Sequence, residues 1–255
     1  MKKLLGRIKN RKAAASAVAL VVLTAVIFWT TNSPTVVGVA ASDRQLPIYC
    51  VQRDDKTVAL SFDAAWGNED TQQLIDILDR YGVKATFFVV GSWVDKYPES
   101  VKALSDAGHE VMNHSNTHAH YPQLTADEVI ADLNACNDKI EAVTGVRPTL
   151  VRMPYGDYDD KSVQAARSIG MEPIQWDVDS LDWKEIPADE ITQRVTSKVG
   201  PGSIVLFHNA ALHTPEALPS ILEQLTQEGY TFVPISQLIL TGNYSIDHTG
   251  RQCPC

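Results

Sequence analysis

The sequence predicts an α/β fold built on a parallel β-sheet, and three observations carry that expectation. Short apolar runs and amphipathic helical patterns follow one another in repeated βα succession. The runs are near-continuously apolar, as in strands buried on both faces, and do not alternate as half-exposed strands do. Glycines close the helical patterns at Gly82, Gly108 and Gly145, where a left-handed residue ends a helix at least cost. Such repeats bury a parallel sheet under helices, closed as a barrel or left open and doubly wound.

The elements follow in order. Residues 57–62 read as a buried strand ending in Asp63, and 70–81 as a helix with Leu74, Ile77, Leu78 and Tyr81 on one face. A second strand covers 85–90. Pro98 and Glu99 open a helix to about Ala107, and a short apolar run at 110–112 leads into Asn113-His114-Ser115-Asn116-Thr117-His118. Thr125 and Glu128 have the spacing of a capping box and start a long helix to Gly145. Strands are predicted over 149–152, 173–176, 203–207 and 230–233, with helices over 160–169, 187–199 and 215–227. No glycine-rich dinucleotide fingerprint follows the first strand.

At 255 residues, 44% hydrophobic and 21% charged, the chain suits one globular domain. Six basic residues lie in 1–12 and none in 13–42, and 13–29 is almost continuously apolar. That pattern is an N-terminal membrane anchor or a cleavable export signal, and either places the rest of the chain outside the cytoplasm. Removing those six cations from the 22 basic residues leaves 16 against 31 acidic ones, so the body is strongly acidic. Nucleic acid is excluded as a partner on that ground, and no oligomer is indicated. The organisation expected is a basic end plus anchor or signal over 1–42, a linker over 43–56, one domain over 57–240 and a tail over 241–255. Cys50, Cys253 and Cys255 flank the body, where a bridge between termini is conceivable, whereas Cys136 reads as a small buried hydrophobe.

The functional signal is one of position. Asp63, His114, His118, Arg152, Asp179 and His208 all fall at or just past predicted strand ends, and parallel β/α folds build their sites at the C-terminal ends of strands. Two histidines four residues apart supply two nitrogen donors to one metal from a single turn or tight loop. A solvated pair of histidines, a surface ion pair for Arg152 and a core histidine for His208 are the bland alternatives.

Five ordered motifs then bear a resemblance. Ser61-Phe62-Asp63, His114 with His118, Arg152-Met153-Pro154-Tyr155-Gly156, Asp179-Ser180-Leu181-Asp182-Trp183 and Leu206-Phe207-His208 resemble the polysaccharide deacetylases, the NodB-homology group or carbohydrate esterase family 4. The form Phe62-Asp63-Ala64-Ala65-Trp66-Gly67 looks most like the sporulation-associated branch. The resemblance implies a distorted (β/α)7-type barrel and metal-assisted hydrolysis of N-acetyl groups on the amino sugars of a cell-wall glycan, peptidoglycan or chitin-like oligomers. It implies a divalent metal, zinc, on His114 and His118. Asp63 is then the catalytic base, oriented by Arg152, and His208 the general acid, supported by Asp179 or a neighbouring carboxylate. The Tyr155 backbone N–H would face the oxyanion, and Trp183 and Leu206 would wall the acetyl pocket, although both also read as core packing. Asp182 reads equally as a cleft carboxylate or a helix N-terminal charge. His109, His120, His213 and His248 match no motif.

One departure matters. The family carries a second carboxylate after the base as the metal's third protein ligand, and here that position is Ala64. Either Asp63 turns to the metal, or a weak two-histidine site remains, or metal and activity are lost. The competing expectation is therefore a non-catalytic glycan-binding protein of the cell wall.

Overall fold

The computed structural model describes residues 44–255, together with Val22 and Thr24. The anchor or signal expected over 1–42 thus lies, those two residues apart, outside the described residues. Among the described residues no helix is long and apolar enough to cross a membrane. The elements of the body are β1 (Cys50–Val51), β2 (Thr57–Ala64), α1 (Thr71–Arg80), β3 (Thr86–Val89), α2 (Gly91–Lys96), α3 (Pro98–Asp106), β4 (Glu110–Asn113), α4 (Ala126–Thr144), β5 (Leu150–Val151), α5 (Asp160–Ser168), β6 (Glu172–Pro173), β7 (Val178–Asp179), α6 (Ala188–Thr196), β8 (Ile204–His208), α7 (Thr214–Gln227), β9 (Thr231–Phe232), α8 (Ile235–Leu238), β10 (Tyr244–Ile246) and β11 (Arg251–Pro254).

The main sheet is parallel, in the order β6-β5-β4-β3-β2-β8-β7, with β9 joining the start of β2. Strand β2, which pairs with β3, β8 and β9, is buried at every position, as its unbroken apolar run requires. Side chains alternate between faces. Val58, Leu60, Phe62 and Ala64 join the core under the helices, where Phe62 stacks on Phe87 at 4.8 Å and on Phe207 at 5.3 Å. Ala59, Ser61 and Asp63 point to the other, concave face. Parallel pairing aligns Ala59 with Ile204, Ser61 with Leu206 and Asp63 with His208, so two of the expected site residues are neighbours by register alone.

The concave interior is filled at its lower end by Ile48, Phe88, Met112, Leu150, Ile174, Ile235 and Leu238, and the site lies at the opposite end, beyond the strand C-termini. The expected barrel does not close: β6 and β7 are the two edges of the sheet. Both are two residues long, and Pro173 in β6 has no N–H to give a further ladder. The result is a curled, open half-barrel.

Two segments read as linker and tail are structured. Ile48 is fully buried and bridges to Ile174, β1 pairs with β11, and β10 pairs antiparallel with β11. Gly202, at φ +80°, permits this docking, because a Cβ there would lie 1.8 Å from the Val51 carbonyl oxygen. All four cysteines are free thiols, so hydrogen bonds and no bridge join the segment around β1 to the one around β11. Cys136 is fully buried as expected, and burial pushes the Cys50 thiol up to about 11. The capping box forms as read: the Thr125 hydroxyl accepts from the Glu128 N–H, Glu128 accepts from the Thr125 N–H, and Gly145 ends α4 at φ 75°.

His109, which no motif claims, is a core residue packed edge-on against Phe87, with Nδ1 accepting from the Ala85 N–H. Its Nε2 has no hydrogen-bond partner, and burial, helped by Lys84 and opposed by Asp79, lowers its pKa to about 4. An unfolded histidine titrates near 6.5, so the unfolded chain binds the proton first. The stability this residue supports is present above about pH 6.5 and is lost as pH falls toward 4, on the order of 3 kcal/mol at most. Urea midpoints at pH 7 and pH 4.5 are expected to differ less in His109→Gln than in the wild type. His114 and His118 titrate with the same sign, and the comparison between the two proteins cancels their contribution.

Candidate active site

Arg152 is the keystone of the site. It follows β5, is fully buried, and sends Nη1 to Asp63 Oδ1 at 2.8 Å and Nη2 to Ser61 Oγ at 2.9 Å and to the Gln175 carbonyl at 3.1 Å. Its guanidinium lies 4.3 Å from the centre of the Phe88 ring, an arrangement that suits a planar, weakly hydrated cation. Burial alone would push the Asp63 carboxyl up; the guanidinium, with His114 and His208, holds it below the usual carboxylate range. Asp63 therefore stays ionised, with Oδ2 turned toward His114 Nε2 at 3.5 Å.

The two histidines sit on a tight loop, not on a helical turn. Ser115 and His118 are left-handed, at φ 71° and 56°, and α4 supports the strain. Asn113 donates to the Leu133 carbonyl and to Asn137, and it accepts from the Ser115 N–H. Asp132 accepts from the Asn116 N–H and the Thr117 hydroxyl. Their rings lie 5.0 Å apart. His114 Nδ1 faces the Arg152 carbonyl at 2.7 Å, which makes it the N–H and leaves Nε2 as a lone pair aimed into the cleft. Burial holds both rings neutral, His118 down to about 4.

His208 stands beside Asp63 in register. Its partner is Asp182, fully buried: His208 Nδ1 donates to Asp182 Oδ1 at 2.8 Å, and the His208 N–H and Thr214 hydroxyl both donate to Oδ2. Burial opposes the charged imidazolium, but Asp182 first, then Asp63 and Asp179, raise the His208 pKa above the ordinary value. Of the two alternatives, the neighbouring carboxylate Asp182 and not Asp179 holds the ring, while Asp179 acts on its pKa through space. That side chain lines the cleft, and its carboxylate accepts from the Leu181 N–H. The short turn after it, bounded by left-handed Leu181 and Glu185, swings Asp182 under the histidine.

These groups surround a cleft of about 540 Å³. Leu206 forms part of its wall and is buried; Trp183 also lines it but is 52% exposed, so it is not core packing. Tyr155 is left-handed at φ 62°, stacks on His120 at 4.1 Å and is largely exposed. Gly156 follows at φ 66°, with a Cβ position 2.9 Å from Trp176, so no side chain fits there. Trp66 and Trp176 also line the cleft; the sequence assigns neither of them to the site. An indole in a glycine-containing loop just past a strand-end aspartate was the one available signal for Trp66.

The donors do not fit the three-ligand cation site that the resemblance implies. Two neutral imidazoles are present, but Ala64 belongs to the helix-facing core with Phe62 and Leu60, on the other side of β2 from Asp63. Among the described residues no three His, Cys, Asp or Glu side chains converge so as to hold a metal.

The polysaccharide deacetylase family model matches residues 51–174. A peptidoglycan N-acetylglucosamine deacetylase of Bacillus cereus is 32% identical over 188 residues, which cover 72% of this chain and 68% of that protein. The chain belongs to the polysaccharide deacetylase family. It is also 38% identical to the peptidoglycan N-acetylmuramic acid deacetylase PdaC of Bacillus subtilis, over 74% of this chain but only 40% of the length of PdaC. Among solved structures, the fold is similar to BA3943, a family 4 pseudoenzyme of Bacillus anthracis, with a TM-score of 0.74 at 38% identity, covering 76% of this chain and 69% of that one. A BA3943 mutant of comparable similarity has restored enzymatic activity.

Proposed function

We propose that this chain is a hydrolase that removes N-acetyl groups from the amino sugars of a cell-wall polysaccharide, peptidoglycan first and chitin-like oligomers second. One observation carries the reading: an ionised carboxylate, Asp63, and a histidine with a raised pKa, His208, stand side by side at the mouth of a half-barrel, each held by its own buried partner. Amide hydrolysis needs that pair, one group to take a proton from water and one to give a proton to the departing amine. Arg152 keeps Asp63 able to accept. Asp182 fixes the tautomer of His208, so that Nε2 is the atom that delivers the proton. The backbone N–H of Tyr155, in its left-handed turn at the cleft, is the donor assigned to the oxyanion, and Trp183 and Leu206, which line the same cleft, are assigned as the walls of the acetyl pocket.

The names of the relatives support the substrate class and an extracytoplasmic site of action; the basic and apolar pattern of 1–42 supports export or anchoring. The Asp63-Ala64-Ala65-Trp66-Gly67 form supports placement in the sporulation-associated branch. Zinc on His114 and His118 alone would be weakly held. The position of Ala64, with the likeness to a pseudoenzyme, supports a second reading as a non-catalytic glycan-binding protein.

Acetate release from peptidoglycan and from N-acetylglucosamine oligomers, by the full chain with and without added zinc, separates the two. The hydrolase reading expects release, and a fall in kcat by about 10²–10⁴ in Asp63→Asn with the circular dichroism unchanged. No acetate from either polymer under any condition leaves the binding reading.

A further inference from the structure

Three of the large exposed hydrophobic side chains among the described residues, Trp66, Tyr155 and Trp183, line the same cleft. Apolar residues exposed singly need no explanation, whereas a cluster in one concavity marks a surface that something covers. Trp66 stands apart from the other two, because no reacting group calls for an indole there and yet its loop is rigidly fixed. Asn209 Nδ2 donates to both the Trp66 and Gly67 carbonyls, at 2.7 and 3.0 Å, and Trp93 Nε1 donates to the Gly67 carbonyl at 2.6 Å. Gly67 is left-handed, and a Cβ there would lie 2.4 Å from Ala210 Cβ. The Ala210 N–H in turn donates to Asp70 at 2.9 Å. The loop after β2 is thereby clamped to the loop after β8.

The clamp sets the indole nearly parallel to the His208 ring, at 5.9 Å and 18°, and edge-on to His118 at 6.5 Å, while leaving 49% of Trp66 exposed. The residue thus spans the rim between the proton donor and the imidazole pair. Among the described residues no Lys or Arg side chain lines the cleft; its carboxylates are Asp63 and Asp179, with the His208 imidazole paired in register beside Asp63. An anionic ligand therefore finds no fixed cation to pair with at this rim, and a ligand that lies on the indole offers C–H groups to a ring with a negative π cloud. The C–H face of a pyranose supplies them.

We propose that Trp66 is a sugar-stacking platform, taking the apolar face of an uncharged N-acetylhexosamine in the bound glycan and contributing to affinity rather than to the chemical step. The proposal rests on the glycan reading of this cleft but not on turnover.

The test uses the full chain as Asp63→Asn, which retains the cleft without the base. Binding of the β-1,4-linked N-acetylglucosamine pentamer is measured by calorimetry in this background alone, with Trp66→Ala and with Trp66→Phe. Affinity is expected to fall about ten-fold with alanine and to stay within about three-fold with phenylalanine. In the catalytic background the alanine change is expected to raise KM by a similar factor at constant kcat. Equal affinity in the three proteins, or no pentamer binding in any, overturns the platform. A fall in kcat at unchanged KM also overturns it, since Trp66 would then act only through His208. If the pentamer binds through Trp66 while the wild type releases no acetate, the deacetylase reading falls and the platform stands.

Discussion

Replacing Arg152 with leucine is expected to lower stability by about 3–5 kcal/mol, because Asp63 would be left buried without its counter-charge. The guanidinium is fully buried and the carboxylate nearly so, reaching only the cleft, and the cation also holds Ser61 and the Gln175 carbonyl. Without it, burial pushes the Asp63 carboxyl up, so the side chain takes a proton and ceases to be a base. Activity and stability fall together. The wild-type linkage has the same sign as that of His109, in a lower pH window: Asp63 is lowered, so its contribution is present above the unfolded value near 3.9 and is lost as pH falls below it. The double change Arg152→Leu with Asp63→Leu is expected to recover most of the stability and none of the activity, since two apolar groups no longer leave a buried charge. Urea unfolding of the single and double variants measures this. A single variant as stable as the wild type would mean that water reaches Asp63 in its place.

What the sequence reveals of this molecule follows from what has local periodicity. The long βα elements and the strand-end positions of Asp63, His114, Arg152 and His208 were legible because buried parallel strands write continuous apolar runs and their ends place the site. The sheet of β1, β10 and β11 was not legible, since strands of two to four residues show no period. Nor was the open edge, which depends on how β6 and β7 fail to meet. In Asp179-Ser180-Leu181-Asp182 two carboxylates lie three residues apart, and only the left-handed turn at Leu181 decides which one reaches His208. Ala64 was legible as a missing donor, but its side of β2 depended on where the strand ended. Trp66 escaped because its orientation is set by Asn209 and Ala210, residues distant in sequence.

Asp182→Asn is expected to lower kcat by about 10²–10³ and to move the alkaline limb of the pH profile to lower pH. The general acid works only while His208 carries its proton, so activity is lost as pH rises through the His208 pKa. Asp182 is the largest of the influences raising that pKa; Asp63 and Asp179 add to it, burial opposes it, and Trp66 covers the ring without charge. An asparagine oxygen can still accept from Nδ1, but it brings no charge. Its amide group also meets either the His208 N–H or the Thr214 hydroxyl, both of which now donate to the carboxylate. Folding linkage has the same sign: a raised histidine supports stability that is full below the unfolded value near 6.5 and is lost as pH rises through the folded one. Asp179→Asn, which acts on His208 only through space, is expected to move the alkaline limb less. Profiles of kcat against pH for the wild type and both variants check the assignment. If the limb moves with Asp179→Asn and not with Asp182→Asn, the hydrogen bond under His208 is not what keeps the acid charged.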